Sequence, residues 1–108
     1  MNKTDKPNQN KDMNVEVTAH AIERYRQRTL HYNMSVNEIV GTLKAGARRG
    51  TIVKARRDNA WEVKYQKVTL IVEYNNISAT VITCLGKDEY RNWDRHSYYI
   101  SNIRKKAV

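Results

Sequence analysis

With one cysteine in 108 residues, Cys84, the chain cannot form an internal disulfide, and it suits a reducing compartment. Cys84 lies in an apolar run and reads as a small core residue rather than a nucleophile. The four glycines, Gly41, Gly46, Gly50 and Gly86, are isolated from one another, so there is no glycine-rich phosphate loop. The histidines are His20, His31 and His96, and none has a cysteine or a second histidine at metal-ligand spacing. No metal and no cofactor is therefore expected. No apolar run approaches the roughly 18 residues that span a bilayer, and the polar N-terminus lacks the apolar middle of a signal peptide. The expectation is a cytoplasmic protein with no membrane partner. Acidic residues are also scarce, with 11 Asp and Glu against 20 Lys and Arg.

What is present is one domain's worth of chain, 40% hydrophobic and 29% charged, with a net charge of +9 spread along its length. Such a whole-domain positive field favours phosphate-bearing partners. The plainer alternative is a solvated surface of mixed charge.

Residues 1–13 are polar and unpatterned and read as a flexible N-terminal arm. Asn14–Val17 alternates, as a short edge strand would, and leads into a helix that Thr18 caps with its side-chain oxygen. Ser35-Val-Asn-Glu38 is a capping box, and Val36, Ile39, Val40, Leu43 and Ala47 then recur at helical spacing. Arg48-Arg49-Gly50 ends this second helix, with Gly50 at a position where a left-handed conformation is expected. Four strands follow, at Thr51–Arg56, Trp61–Tyr65, Val68–Tyr74 and Ile77–Leu85. Gln66-Lys67 and Asn75-Asn76 make tight connections between them. Trp61, Val63 and Tyr65 share one strand face, Glu62 and Lys64 the other. The order predicts an α+β fold: β-α-α, then a four-stranded antiparallel meander with the helices on one face. Residues 14–86 form this domain, and 87–108 are a basic, aromatic C-terminal extension.

The most informative stretch is Thr18-Ala-His20-Ala-Ile-Glu-Arg24-Tyr-Arg26-Gln-Arg28. At about 100° per residue, Arg24 lies about 40° and Arg28 about 80° round from His20. One imidazole and two guanidiniums thus form a row bordering the apolar arc of Ile22, Tyr25 and Tyr32. Glu23 and Arg26 point elsewhere and read as surface. Opposite this row the sheet offers Arg56, Arg57, Lys64, Tyr74 and Thr83. Such a mix suits metal-free RNA cleavage: histidine transfers protons near neutral pH, and arginine matches phosphate with paired donors. A histidine that only orients the helix start, and arginines on a solvated face, are the structural alternatives.

The same run resembles the His-Ala-x-x-Arg-x-x-x-Arg signature of small prokaryotic and phage domains. These are grouped with the RelE/ParE toxin and colicin/barnase-like ribonuclease superfamily. The likeness continues through Ser35-Val-Asn-Glu-Ile-Val and ends in the Val81-Ile-Thr83 strand, covering roughly residues 15–86. It implies a RelE/ParE-like fold and metal-independent endoribonuclease activity. Carried over position by position, it makes His20, Arg24, Arg28 and Thr83 the catalytic set. The N-terminal arm and the last 22 residues depart from the toxin core.

The function expected is therefore RNA binding with metal-independent cleavage. His20 is the acid/base, Arg24 and Arg28 are phosphate clamps, and Thr83 is a substrate contact. Arg56, Arg57 and Lys64 add a basic rim. Arg91, Trp93 and Arg95 of the extension can contact and stack on unpaired bases, or the aromatics can seal the sheet edge or a dimer contact. A toxin would have an acidic antitoxin as partner. The rivals are a non-catalytic nucleic-acid-binding or host-modulating protein of phage type, and a module that docks an acidic protein.

Overall fold

A computed structural model describes residues 6–29 and 33–87. The elements run β1 (Asn14–Val17), α1 (Ala19–Thr29), α2 (Val36–Arg49), β2 (Thr51–Ala55), β3 (Ala60–Tyr65), β4 (Val68–Tyr74) and β5 (Ser78–Lys87). The expected α+β class is what forms. Both helices begin where the sequence places their caps. Thr18 Oγ1 accepts the Ala21 N–H at 3.0 Å, and Ser35 and Glu38 exchange the two bonds of a capping box.

The sheet differs from expectation in one respect. The expected edge strand at Asn14–Val17 joins the four-stranded meander to make one five-stranded sheet, in the order β1-β5-β4-β3-β2. β2 to β5 do form an antiparallel meander, but β1 joins the far edge parallel to β5, Asn14 through Val17 lying beside Ser78 through Val81. The sheet is therefore mixed. Short connectors dictate antiparallel neighbours, whereas β1 reaches its partner only after the whole chain has returned. No local signal specifies that pairing.

The β3–β4 connection is a two-residue turn with Gln66 and Lys67 both at positive φ, 52° and 64°. That is the hand of turn a twisted hairpin favours, here without glycine. On β5 the register with β4 slips twice, leaving Ile82 and Leu85 as extra residues. Gly86, at φ 101°, absorbs the second slip.

Gly50 closes α2 with extended backbone, φ −68° and ψ 167°, not the left-handed cap expected of it. Its glycine is explained by crowding. A Cβ there would sit 2.5 Å from Gly46 O and 2.6 Å from Val63 Cγ1.

One apolar cluster joins both helices to a single sheet face. Ala21 and Tyr25 of α1 and Ile39, Leu43 and Ala47 of α2 meet Val15, Ile52, Val63, Leu70, Val72, Val81 and Cys84. At the end of α2, Tyr74 Oη donates to Ala47 O at 2.6 Å. The Gln9 amide, within the stretch read as an arm, reaches Ala47 O, Gly50 O and Tyr74 Oη. Met13 is buried, and its carbonyl accepts from Arg48 Nε at 2.9 Å.

Candidate functional site

The position of α1 follows from where β1 stops. β1 pairs with β5 only as far as Val81. Beyond that point no described strand receives the carbonyls of the β5 edge, and a buried carbonyl left unpaired costs about 1–3 kcal/mol. α1 supplies the partners. Thr18 donates through its backbone N–H to Val81 O at 3.2 Å and through Oγ1 to Ile82 O at 2.8 Å. One helix length on, Arg28 Nη1 donates to Cys84 O at 2.9 Å. The helix is thus stitched along the edge at both ends.

This arrangement fixes the outward row. His20 is exposed in the first turn of α1, with Arg24 and Arg28 half-buried behind it. Arg24 Nη1 donates to Gln27 Oε1 at 3.2 Å, and Gln27 Nε2 donates to Glu23 Oε1 at 3.3 Å. These are weak surface bonds that a phosphate can displace. Arg28 differs, since one of its N–H groups is committed to holding the sheet edge. Arg26 is not the surface residue its position suggested. It is half-buried, its Nη2 donates to Met34 O at 3.1 Å, and so it ties α1 to the entry of α2.

The other expected site residues stand elsewhere. Thr83 lies opposite Ile71 on β4. The β4 residues facing the helices are Val68, Leu70, Val72 and Tyr74, so strand alternation puts Ile71 and Thr83 on the face away from α1. Lys64 is exposed on the same side, two residues from Glu62 on β3. Arg56 pairs with Glu62, its Nη2 3.0 Å and its Nε 3.1 Å from the same carboxylate oxygen. Glu62 is buried although it lies on the face away from α1 and α2. Arg57 is exposed in the β2–β3 hairpin loop, beside Asp58 at φ 59°. Arg91, Trp93 and Arg95 lie outside the described residues.

The fold therefore gathers His20, Arg24 and Arg28 on one helix and separates them from Arg56, Lys64 and Thr83 by the thickness of the sheet. No group of three potential metal ligands occurs among the described residues. Nor is any described helix long and apolar enough to cross a membrane. Cys84 is fully buried next to this region. Burial pushes its thiol up to about 11, against the smaller opposing pulls of the Gly86 backbone and the Arg28 charge. It stays protonated and unreactive at neutral pH. Sequence reading missed the edge-capping role of Thr18 and Arg28. Only the early end of β1 reveals it.

Comparison with protein-family models, with curated proteins and with solved structures yields no match.

Proposed function

We propose that this domain binds RNA through the outer side of α1 and cleaves it without a metal, in the manner of the toxin-type ribonucleases its helix motif resembles. The observation that supports this reading is the row on α1. It consists of an exposed imidazole, a guanidinium held only by displaceable surface bonds, and a second guanidinium whose planar fork has donors beyond the one given to Cys84. The +9 charge adds a long-range attraction for polyphosphate.

In the reaction, His20 takes the proton of a ribose 2′-hydroxyl as its oxygen attacks the neighbouring phosphorus. The bond to the leaving 5′ oxygen breaks, and that oxygen takes a proton from water, to which the His20 imidazolium gives back the one it accepted. The products carry a 2′,3′-cyclic phosphate and a 5′-hydroxyl. Arg24 and Arg28 neutralise charge on the phosphoryl oxygens as it builds. Thr83, behind the sheet, has no part in this step.

The test is cleavage of cellular RNA in chelator. Cyclic-phosphate ends from the wild type, lost in His20→Ala with binding retained, support catalysis by His20. Binding without cleavage in both proteins leaves a non-catalytic RNA binder. Arg24→Gln is expected to lower the salt dependence of RNA binding by about 0.7 in log–log slope, one phosphate contact's worth. If no RNA binds near physiological salt, the basic row serves an acidic protein instead.

A further inference from the structure

The row on α1 has a further member that charge alone does not reveal. At about 100° per residue, Gln27 falls about 20° from the line of His20, two turns further along the helix. Glu23 flanks it on one side and Arg24 on the other. Gln27 is exposed, as His20 and Glu23 are, and both ends of its amide are engaged. Nε2 donates to Glu23 Oε1 at 3.3 Å, and Oε1 accepts from Arg24 Nη1 at 3.2 Å. These two bonds have different fates when a phosphate arrives. The guanidinium turns to the anion, because a charge-assisted bond is about twice as strong as a neutral one, and so releases Oε1. The Glu23 carboxylate repels the phosphate and keeps hold of Nε2. An amide fixed at its nitrogen has its carbonyl direction fixed as well. The result is an uncharged acceptor with both lone pairs free, on the exposed side of the helix and beside the phosphate clamp.

We propose that Gln27 Oε1 accepts a hydrogen bond from a ribose 2′-hydroxyl and so makes the site selective for RNA over DNA. The inference rests on α1 being the RNA-contacting element and adds the residue that recognises the sugar. An acceptor cannot bond the phosphate oxygens themselves. It needs a donor, and the sugar is the group joined directly to each phosphate. Within a strand the 2′-hydroxyl is the one donor a ribose carries, and DNA lacks it. The hydroxyl bound here is not the one that reacts. Gln27 lies seven residues beyond His20, about 10 Å along the axis at about 1.5 Å per residue. Stacked nucleotides advance about 3.4 Å each, so Gln27 meets a sugar about three nucleotides from the cleaved phosphate. Glu23 is a positioning residue, acting through the orientation of the amide.

The test uses three strands of one sequence: RNA, DNA and 2′-fluoro RNA, which keeps the ribose shape but has no donor. Binding is measured in a His20→Ala background, so that the RNA stays intact. RNA is expected to bind about five-fold more tightly than 2′-fluoro RNA, as one neutral hydrogen bond contributes, and DNA no better than 2′-fluoro RNA. Gln27→Met keeps the side-chain length and removes the acceptor. It is expected to bring RNA and 2′-fluoro RNA to equal affinity, leaving the 2′-fluoro value unchanged. Glu23→Ala frees the amide to rotate and is expected to give an intermediate ratio. Both side chains are exposed, and unchanged circular dichroism checks that the fold is kept. A ratio that survives Gln27→Met overturns the proposal while leaving α1 as the RNA-contacting element. So does an equal loss on all three strands, which makes Gln27 only a support for Arg24, and so does RNA bound no better than 2′-fluoro RNA before Gln27 is changed. If no strand binds, this inference and the reading it rests on fall together.

Discussion

The two faces of the sheet are built on different principles. Toward the helices, Val63, Leu70, Val72, Val81 and Cys84 form a continuous apolar layer, and the buried hydroxyl of Thr29 is satisfied by Tyr25 O at 2.6 Å. Away from them, a buried carboxylate depends on Arg56, and a buried threonine hydroxyl has no partner. The first face is held by area removed from water, worth about 25 cal/mol per Å². The second gains less, because part of what it buries is polar. A basic count in the sequence hides the same division. Arg24 is restrained only by surface bonds to its own helix, whereas Arg56 is taken up by Glu62, so equal charges are not equally available to a ligand.

The largest expected effect tests the apolar face. Leu43→Ala removes a fully buried side chain from its centre and is expected to cost about 2–5 kcal/mol in denaturant melts. Ile71→Ala on the opposite face is expected to cost about half as much. Equal losses would break the contrast between the faces.

Alkali provides the next test. The thiol of Cys84 and the phenols of Tyr25 and Tyr74 all sit on the helix side, and burial raises all three. A raised value means the folded state holds the proton more tightly than the unfolded chain. The stability this contributes is complete below pH 9 and is lost as pH climbs through the folded value. For Cys84 the rise from 9.0 to about 11 corresponds to roughly 2–3 kcal/mol lost across that interval. Urea melts at pH 8 and pH 11 read it, and Cys84→Ala is expected to flatten the difference.

The smallest effect is the sharpest comparison, a matched pair of isosteric changes. Thr69→Val removes an unpartnered buried hydroxyl and is expected to stabilise the fold by about 1 kcal/mol. Thr29→Val removes a satisfied one and is expected to destabilise by about 1 kcal/mol. The same sign in both thermal melts would show that the two faces treat polar groups alike.

Local features were legible wherever chemistry acts over three or four residues. The caps at Thr18 and Ser35, the helical spacing of Ile39, Leu43 and Ala47, the turn at Gln66-Lys67 and the alternation of β3 were all readable, because each depends on neighbours in the chain. Gly50 shows the limit of that reading. Its place after a helix suggested a left-handed cap, whereas the approach of Val63, from a strand after the helix, is what requires glycine. Among the candidate site residues, the His20, Arg24 and Arg28 row was legible for the same local reason. The separation of Thr83 from it was not, since it depends on the register slip at Ile82.

The sequence by itself determined the helices, the meander and the positive field, since periodicity, capping and charge are properties of the chain alone. Only the tertiary structure decided that β1 closes the sheet in parallel and stops at Val81, so that α1 must cap the carbonyls left bare. That single long-range pairing turns Arg28 into an anchor, leaves His20 and Arg24 outward, and puts Thr83 on the other side. Pairing between residues more than sixty positions apart is chosen by the packing of the whole core, and no local pattern encodes it.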